Sequence, residues 1–267
     1  MSVAHAIGRA WVSTGGTGAQ NYDEFASDGE ITDIVTTNPA SSLAIEMPHR
    51  TPEAVAAGWS FQDSLPAAAV RLAEEQRTGR YAQAKEVVGI YRISGDSAEG
   101  GRETAFGVFC MIDTDQISTS ADEPGIVIRN EDVFLEKVRE RTALTAQLGH
   151  LVSPVLLLQT SRGAELHSEL RDLTGRLGGP AVTDTDQQGR THEVWALEAG
   201  ADQRRVLELA GGGELIVADG NHRSLAAQVG GLPRFLAVVT TPASVVIRPY
   251  HRLIGESPLP VGELLDG

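Results

Sequence analysis

The chain is poor in the residues that would announce a covalent framework or a charged macromolecular partner. It carries one cysteine, Cys110, in 267 residues, which excludes a disulfide framework and a cysteine-built zinc cluster. That thiol lies in the apolar run 105–112, so it is expected as a buried strand residue and not as a nucleophile. Basic side chains are outnumbered: 22 Lys and Arg stand against 36 Asp and Glu, a formal net charge of −14. A surface of that sign repels phosphate backbones and anionic lipid, so neither nucleic acid nor membrane is expected as a partner, although a small basic pocket remains compatible. No run reaches the ~20 apolar residues needed to span a bilayer. No basic segment followed by an apolar one opens the chain, and a cytoplasmic location is expected. Internal repeats and low-complexity linkers are also missing.

What is present is enough for a large core. The 41% hydrophobic and 22% charged composition is that of a globular chain. The length allows one domain or two closely joined lobes. Strands are expected at 6–12, 42–47, 86–93, 104–112, 126–128, 152–158, 182–184, 191–197, 214–218, 234–239 and 244–247. Helices are expected at 22–35, 66–77, 164–177 and 201–210, and from Asn130, as its cap, to about 148. Residues 94–102 should form a hairpin loop, 187–189 a second, and 118–125 a polar, exposed segment. The Gly-rich stretch 13–18 lacks the closing Gly-Lys-Ser/Thr of a phosphate loop and reads as a flexible turn. Strand pairing in the first half and strand–helix alternation in the second make an α+β fold, with mixed sheets and flanking helices. The expected division is an N-terminal α+β lobe over 1–125 and a second lobe over 126–267, the two free to form one compact unit.

The stretch 212–227 concentrates the chemistry. A short apolar strand between glycines runs into Asp219-Gly220-Asn221-His222-Arg223 and then into an Ala/Leu-rich helix. Asp219 is expected to cap that helix, with Gly220, Asn221 and His222 as its first turn. A strand entering a helix through a tight turn gathers free backbone N–H groups, which makes an anion site. An Asp, a His and an Arg at the same point add reactive groups. His192 and Trp195 read as core or pocket wall.

Several segments in order resemble one family, catalogued as domain of unknown function 1015 within the ParB/sulfiredoxin-like superfamily. They are Tyr22-Asp23, Asn38-Pro39, Asn130-Glu131-Asp132, the charged helix from Lys137 to Arg141, Ser153-Pro154-Val155-Leu156, His192-Glu193-Val194-Trp195, Ala218 to Arg223, and Pro249-Tyr250-His251-Arg252. The Asp-Gly-x-His-Arg turn is the most specific of these. Next to the longer full-length family members the chain looks shortened after Ile254. The resemblance implies a ParB/sulfiredoxin-like core and nucleotide phosphoryl chemistry; relatives of that superfamily include free serine kinases using ATP or ADP, CTP-hydrolysing clamps and sulfiredoxin.

Carried over position by position, the resemblance makes Glu131, Asp219 and His222 the catalytic residues. Gly220, Asn221, His222, Arg223, Arg139 and Arg141 become the nucleotide-binding set, with Asp219 as ligand to Mg²⁺. The roles are chemically consistent. Helix amides and Arg223 neutralise phosphate, His222 donates to it, Asp219 suits Mg²⁺, and Glu131 takes a hydroxyl proton. The implied activity is a small-molecule kinase moving a phosphoryl group from ATP or ADP to the hydroxyl of a free amino acid such as serine or threonine, or a related metabolite. A non-catalytic nucleotide switch and a nucleotide hydrolase or tailoring enzyme are the alternatives, and an oligomer is allowed. Simpler roles also stand: Asp219 as a cap only, Arg223 paired with an acid such as Asp184, Glu131 as a helix-dipole partner, and Arg139 and Arg141 on a solvated face. Asn130 and Asn221 occupy positions where the family pattern has His, and Asn cannot titrate near neutrality.

Overall fold

The structure is a computed structural model, and it describes residues 3–19, 25, 27–96, 101–118 and 125–245. The chain is organised by one mixed sheet. It begins with β1 (Ala4–His5) and β2 (Ile7–Ser13), then a helical segment of α1 (Asp28–Thr37), α2 (Leu43–Glu46), a 3-10 turn (Pro48–Arg50), α3 (Pro52–Ala57) and α4 (Phe61–Arg77). The long hairpin of β3 (Tyr81–Asp96) and β4 (Arg102–Asp113) follows, then the short strands β5 (Ile117–Ser118) and β6 (Val127–Ile128). Helices and strands next alternate: α5 (Leu135–Leu148), β7 (Val155–Gln159), α6 (Gly163–Arg176), the hairpin β8 (Val182–Thr185) and β9 (Thr191–Leu197), α7 (Ala201–Ala210), β10 (Leu215–Asp219), α8 (Asn221–Val229) and β11 (Arg234–Thr240).

Spatially the sheet runs β5-β6-β10-β7-β11-β4-β3-β9-β8, with β1 added beside β4 and β2 beside β3. Strand β4 lies between β3 and β11, so hydrogen bonding passes without a break from the first half of the chain to the second. The α+β architecture with a mixed sheet matches the expectation from the sequence. The centre of the sheet is apolar on each strand: Val88, Ile90, Val108, Cys110, Leu157 and Val239 are fully buried. Leu166, Leu170 and Leu173 of α6 and Val206 and Leu209 of α7 pack on it, all at 0% exposure. Burying each such side chain contributes about 1.5–3 kcal/mol. Cys110 is the expected interior strand residue, and desolvation pushes its thiol up to about 12, which leaves it protonated and inert. A second cluster joins α4 to α5 through Phe61, Leu65, Leu72, Leu144 and Leu148.

Some boundaries differ from expectation, each for a physical reason. Residues 42–47 are helical, not a strand: Ser41 and Ser42 carbonyls accept from Ala44, Ile45 and Glu46 N–H groups. The three consecutive buried residues Leu43, Ala44 and Ile45 carry no period that separates a strand from one buried helical turn. Helix α4 begins at Phe61, five residues before Pro66, because Ser60 and Asp63 form a reciprocal capping box. Helix α5 begins at Leu135, not Asn130, and Phe134 holds the cap position. The first helix starts at Asp28; Tyr22-Asp23 fall outside the described residues. Of the strand expected at 244–247, Ser244 instead ends a 3-10 turn (Pro242–Ser244), and 246–247 with Pro249-Tyr250-His251-Arg252 also fall outside. Ser118 is buried in β5 and not exposed. No helix among the described residues is long and apolar enough to cross a membrane.

Candidate functional site

Parallel pairing builds the site. Strands β6 and β10 run side by side in the same direction, with Val127 opposite Leu215 and Ile128 opposite Ile216. Both therefore release their chains at the same end of the sheet, β6 into Asn130-Glu131 and β10 into Gly220-Asn221. Residues about ninety positions apart meet there: Asn221 Nδ2 donates to Asn130 Oδ1 and to Glu131 Oε2, each at 3.3 Å. These contacts explain why α5 starts late. Asn130 is occupied by Asn221 and does not cap. The Phe134 N–H is taken by His222 Nε2 at 3.0 Å.

The turn itself is built differently from the expected cap. Asp219 is the last residue of β10, and Gly220 holds the N-cap position with φ of 96°, a left-handed geometry that a side chain would strain. Asp219 reaches instead across the turn to Arg223, whose Nη2 lies 2.5 Å from Oδ2. Asp184, weighed above as the partner of Arg223, instead accepts the Gly18 N–H at 3.2 Å. Asn221 is 3% exposed, and its Oδ1 has no hydrogen-bond partner among the described residues. That assignment of the amide follows from Glu131, which as a carboxylate only accepts.

Around this turn lies a cleft of about 550 Å³. One wall is Gly220, His222 and Arg223 of the turn. A second is Lys137, Glu140 and Arg141 of α5, and the third comes from α1, Met47, His49 and Phe61. Helix α5 leans on α8 through Thr142, whose hydroxyl donates to Val138 O at 2.9 Å and to Ala226 O at 3.4 Å. Arg141 is anchored from behind, donating to Glu46 O at 3.3 Å. The Glu46 carboxyl receives the Ser153 hydroxyl; its pKa is raised by desolvation, against that hydrogen bond and the charges of Arg141 and Arg223. Three cations, Lys137, Arg141 and Arg223, thus meet at the cleft, beside the carboxylates of Asp28, Glu140 and Asp219.

The two histidines at the cleft are both held toward the neutral form. Desolvation, then Lys137, lowers His222, with Glu131 opposing. Since His222 Nε2 accepts from Phe134, the proton of the neutral ring is on Nδ1. Its ring lies parallel to that of Phe134, 5.9 Å between centroids at 7°. Desolvation, then Arg50, lowers His49 to about 4, and its buried Nδ1 lacks a partner among the described residues.

Of the residues proposed from sequence, Asp219, Gly220, His222, Arg223 and Arg141 line the cleft. Asn221 and Glu131 are joined by the contacts above but do not line it; Asn221 is buried and Glu131 exposed. Arg139 is exposed and does not line it. Lys137 and His49 were not proposed and do. Helical spacing separates these: Lys137, Arg141, Leu144 and Leu148 share a face, and Arg139 points some 200° away. His49 left no such signal, because it lies just past the strand expected at 42–47, in a stretch with no assigned element. Among the described residues no group of three or more His, Cys, Asp or Glu is placed to hold a metal ion. Trp195 is core, 5% exposed, its Nε1 donating to Gly178 O at 2.8 Å.

Set against protein-family models, residues 17–266 match the one described as protein of unknown function (DUF1015). No curated protein and no solved structure matches the chain.

Proposed function

The chain belongs to the DUF1015 family, and from that premise we propose that it is a small-molecule kinase on a ParB/sulfiredoxin-like core. It transfers a phosphoryl group from ATP or ADP to the hydroxyl of a free amino acid such as serine or threonine, or of a related metabolite. The observation that carries this reading is the convergence of Arg223, Arg141 and Lys137 with the α8 N-terminus on one cleft. Phosphoryl transfer asks the protein mainly for position and positive charge. Arg223 and Arg141 offer guanidinium forks to phosphate oxygens, Lys137 a point charge, His222 its Nδ1–H, and the first amides of α8 their dipoles.

Glu131 is the proton acceptor in this scheme. The acceptor hydroxyl oxygen forms a bond to the terminal phosphorus as the bridging P–O bond breaks. The hydroxyl proton passes to the Glu131 carboxylate, and the shortened nucleotide leaves. Asn221 fixes Glu131 from the side and stands where the family pattern has a His, so it orients without titrating. Mg²⁺ is typically held by nucleotide phosphates and one or two carboxylates, a requirement Asp219 at the cleft wall fits. Bound there, the ion would add phosphate charge neutralisation.

Calorimetry with ATP, ADP and CTP, followed by a mass-resolved screen of hydroxylated amino acids, tests the proposal. Glu131→Gln should lower transfer by ~10²-fold or more and leave nucleotide affinity within about twofold. Full activity in Glu131→Gln removes the base assignment. Tight binding without turnover on any acceptor makes the protein a nucleotide switch, and free phosphate as sole product makes it a hydrolase.

A further inference from the structure

A second cavity, about 570 Å³, opens on the other hairpin of the sheet. Register places its lining on one face. Tyr91 pairs with Val194 and Ile93 with His192; Val182 pairs with Val194 and Asp184 with His192. Phe109 of β4, opposite Gly89, continues the same face. The Ser13–Gly18 turn and Glu30 of α1 close the opposite side.

A hydrogen-bonded chain runs along this wall. Asp186, 5% exposed at its side chain, accepts from His192 Nε2 at 3.0 Å and from Arg190 Nε at 2.6 Å. It also accepts the Gln188 and Arg190 N–H groups. Although its burial opposes this, these donors hold its carboxyl down to about 2, so it remains an acceptor. In the neutral ring the His192 proton is then on Nε2, facing Asp186, and Nδ1 accepts the Tyr91 hydroxyl, 2.5 Å away. With its proton committed, the Tyr91 oxygen has only acceptor capacity left to offer the cavity.

The Asp184 carboxylate has the same sense. Asp184 takes two backbone N–H groups, from Gly18 and Thr185, and no Lys or Arg pairs with it among the described residues. Glu30 adds a second carboxylate. Arg190, the cation bordering the cavity, is paired with Asp186. The aromatic faces of Tyr91 and Phe109, 5.4 Å apart, complete the wall, and such faces attract cations. A neutral or anionic ligand would leave the Asp184 carboxylate without a cation.

We infer that this cavity binds a small organic ammonium ion, a primary amine with an apolar body, its N–H groups on Asp184 and Tyr91 and its body against the aromatic wall. The inference does not depend on the kinase reading, since the phosphate cleft uses different polar residues.

The test is a titration of the ¹⁵N-labelled protein with benzylammonium, using benzyl alcohol as the uncharged probe of the same shape. Benzylammonium should shift the amides of Gly18, Asp184, His192 and Val194, and benzyl alcohol should bind about tenfold more weakly or less. Asp184→Asn should lower benzylammonium affinity about tenfold and Tyr91→Phe severalfold, with ADP binding unchanged in both. Equal affinity for benzyl alcohol would overturn the inference, as would an unchanged affinity in Asp184→Asn or shifts confined to other regions. Both variants are near-isosteric, and an unaltered melting temperature separates loss of the site from loss of the fold.

Discussion

Arg223→Ala isolates the contribution of the guanidinium on which the phosphate reading depends. Its side chain is 12% exposed while that of its partner Asp219 is 50% exposed, so the cation is held in the cleft wall and the anion faces water. Truncation removes a charge-assisted hydrogen bond to phosphate, worth ~1.5–3 kcal/mol. It also leaves the Asp219 carboxylate unneutralised beside an anionic ligand, adding ~0.5–1 kcal/mol of repulsion in partly screened surroundings. The sum, ~2–4 kcal/mol, corresponds to ADP affinity ~30- to 800-fold weaker. The fold should hardly notice. A half-exposed i,i+4 pair contributes ~0.3–0.5 kcal/mol, which lowers the melting temperature of a chain this size by ~1–2 °C. Arg223→Lys keeps the charge but loses the fork, and should recover only part of the affinity. Arg139→Ala, on the opposite face of α5, should bind as the wild type does. Calorimetry with ADP in magnesium-free, low-salt buffer measures all three. If folded Arg223→Ala binds ADP within about twofold of the wild type, the phosphate does not sit at this turn and the reasoning fails.

Two further outcomes follow from the cleft. Gly220→Ala places a Cβ 2.9 Å from Arg223 Nε at a residue with φ of 96°. It should cost ~1–2 kcal/mol of stability and weaken ADP binding as well, because the guanidinium must move; thermal melts and calorimetry read the two effects separately. His49 has its pKa lowered from 6.5 to about 4 by desolvation, then by Arg50, so the unfolded chain takes up this proton at higher pH than the folded one. The associated stability is complete above pH 6.5 and is lost as pH falls toward 4. The ceiling is ~3 kcal/mol, screened by the half-exposed ring to ~1–2 kcal/mol. Melting temperature should therefore fall less steeply over that window in His49→Gln than in the wild type, and parallel slopes would refute the assignment.

The parts of this fold that depend on local chemistry could be read directly. Helix α7 falls on the expected 201–210 because an amphipathic run ends in three glycines, and β10 is bounded by glycines and turn residues. The reading fails where a distant partner decides. Asn130 has the chemistry of a cap, but Asn221, far along the chain, claims it, and His222 claims the Phe134 amide. Asp219 likewise has the chemistry of a cap and is drawn to Arg223 instead. The candidate site was visible as residue types in the turn at 219–223 and as Arg141. Its third wall was hidden, because α2 and the Pro48–Arg50 turn are too short to show a period.

The parallel pairing of β6 with β10 has a thermodynamic corollary. The ends of the two strands are tied by the Asn221–Glu131 hydrogen bond, and the contact between them closes a loop of almost ninety residues that contains α5, β7, α6, β8, β9 and α7. A ligand that needs both ends can bind only when that loop is closed. It would then stabilise the closed state by about 2.7 kcal/mol when present at a hundred times its dissociation constant. Proteolytic nicking and amide exchange in β6 and β10 would slow together as ligand is added, so the concentration of the ligand becomes a variable that sets how long this protein survives intact.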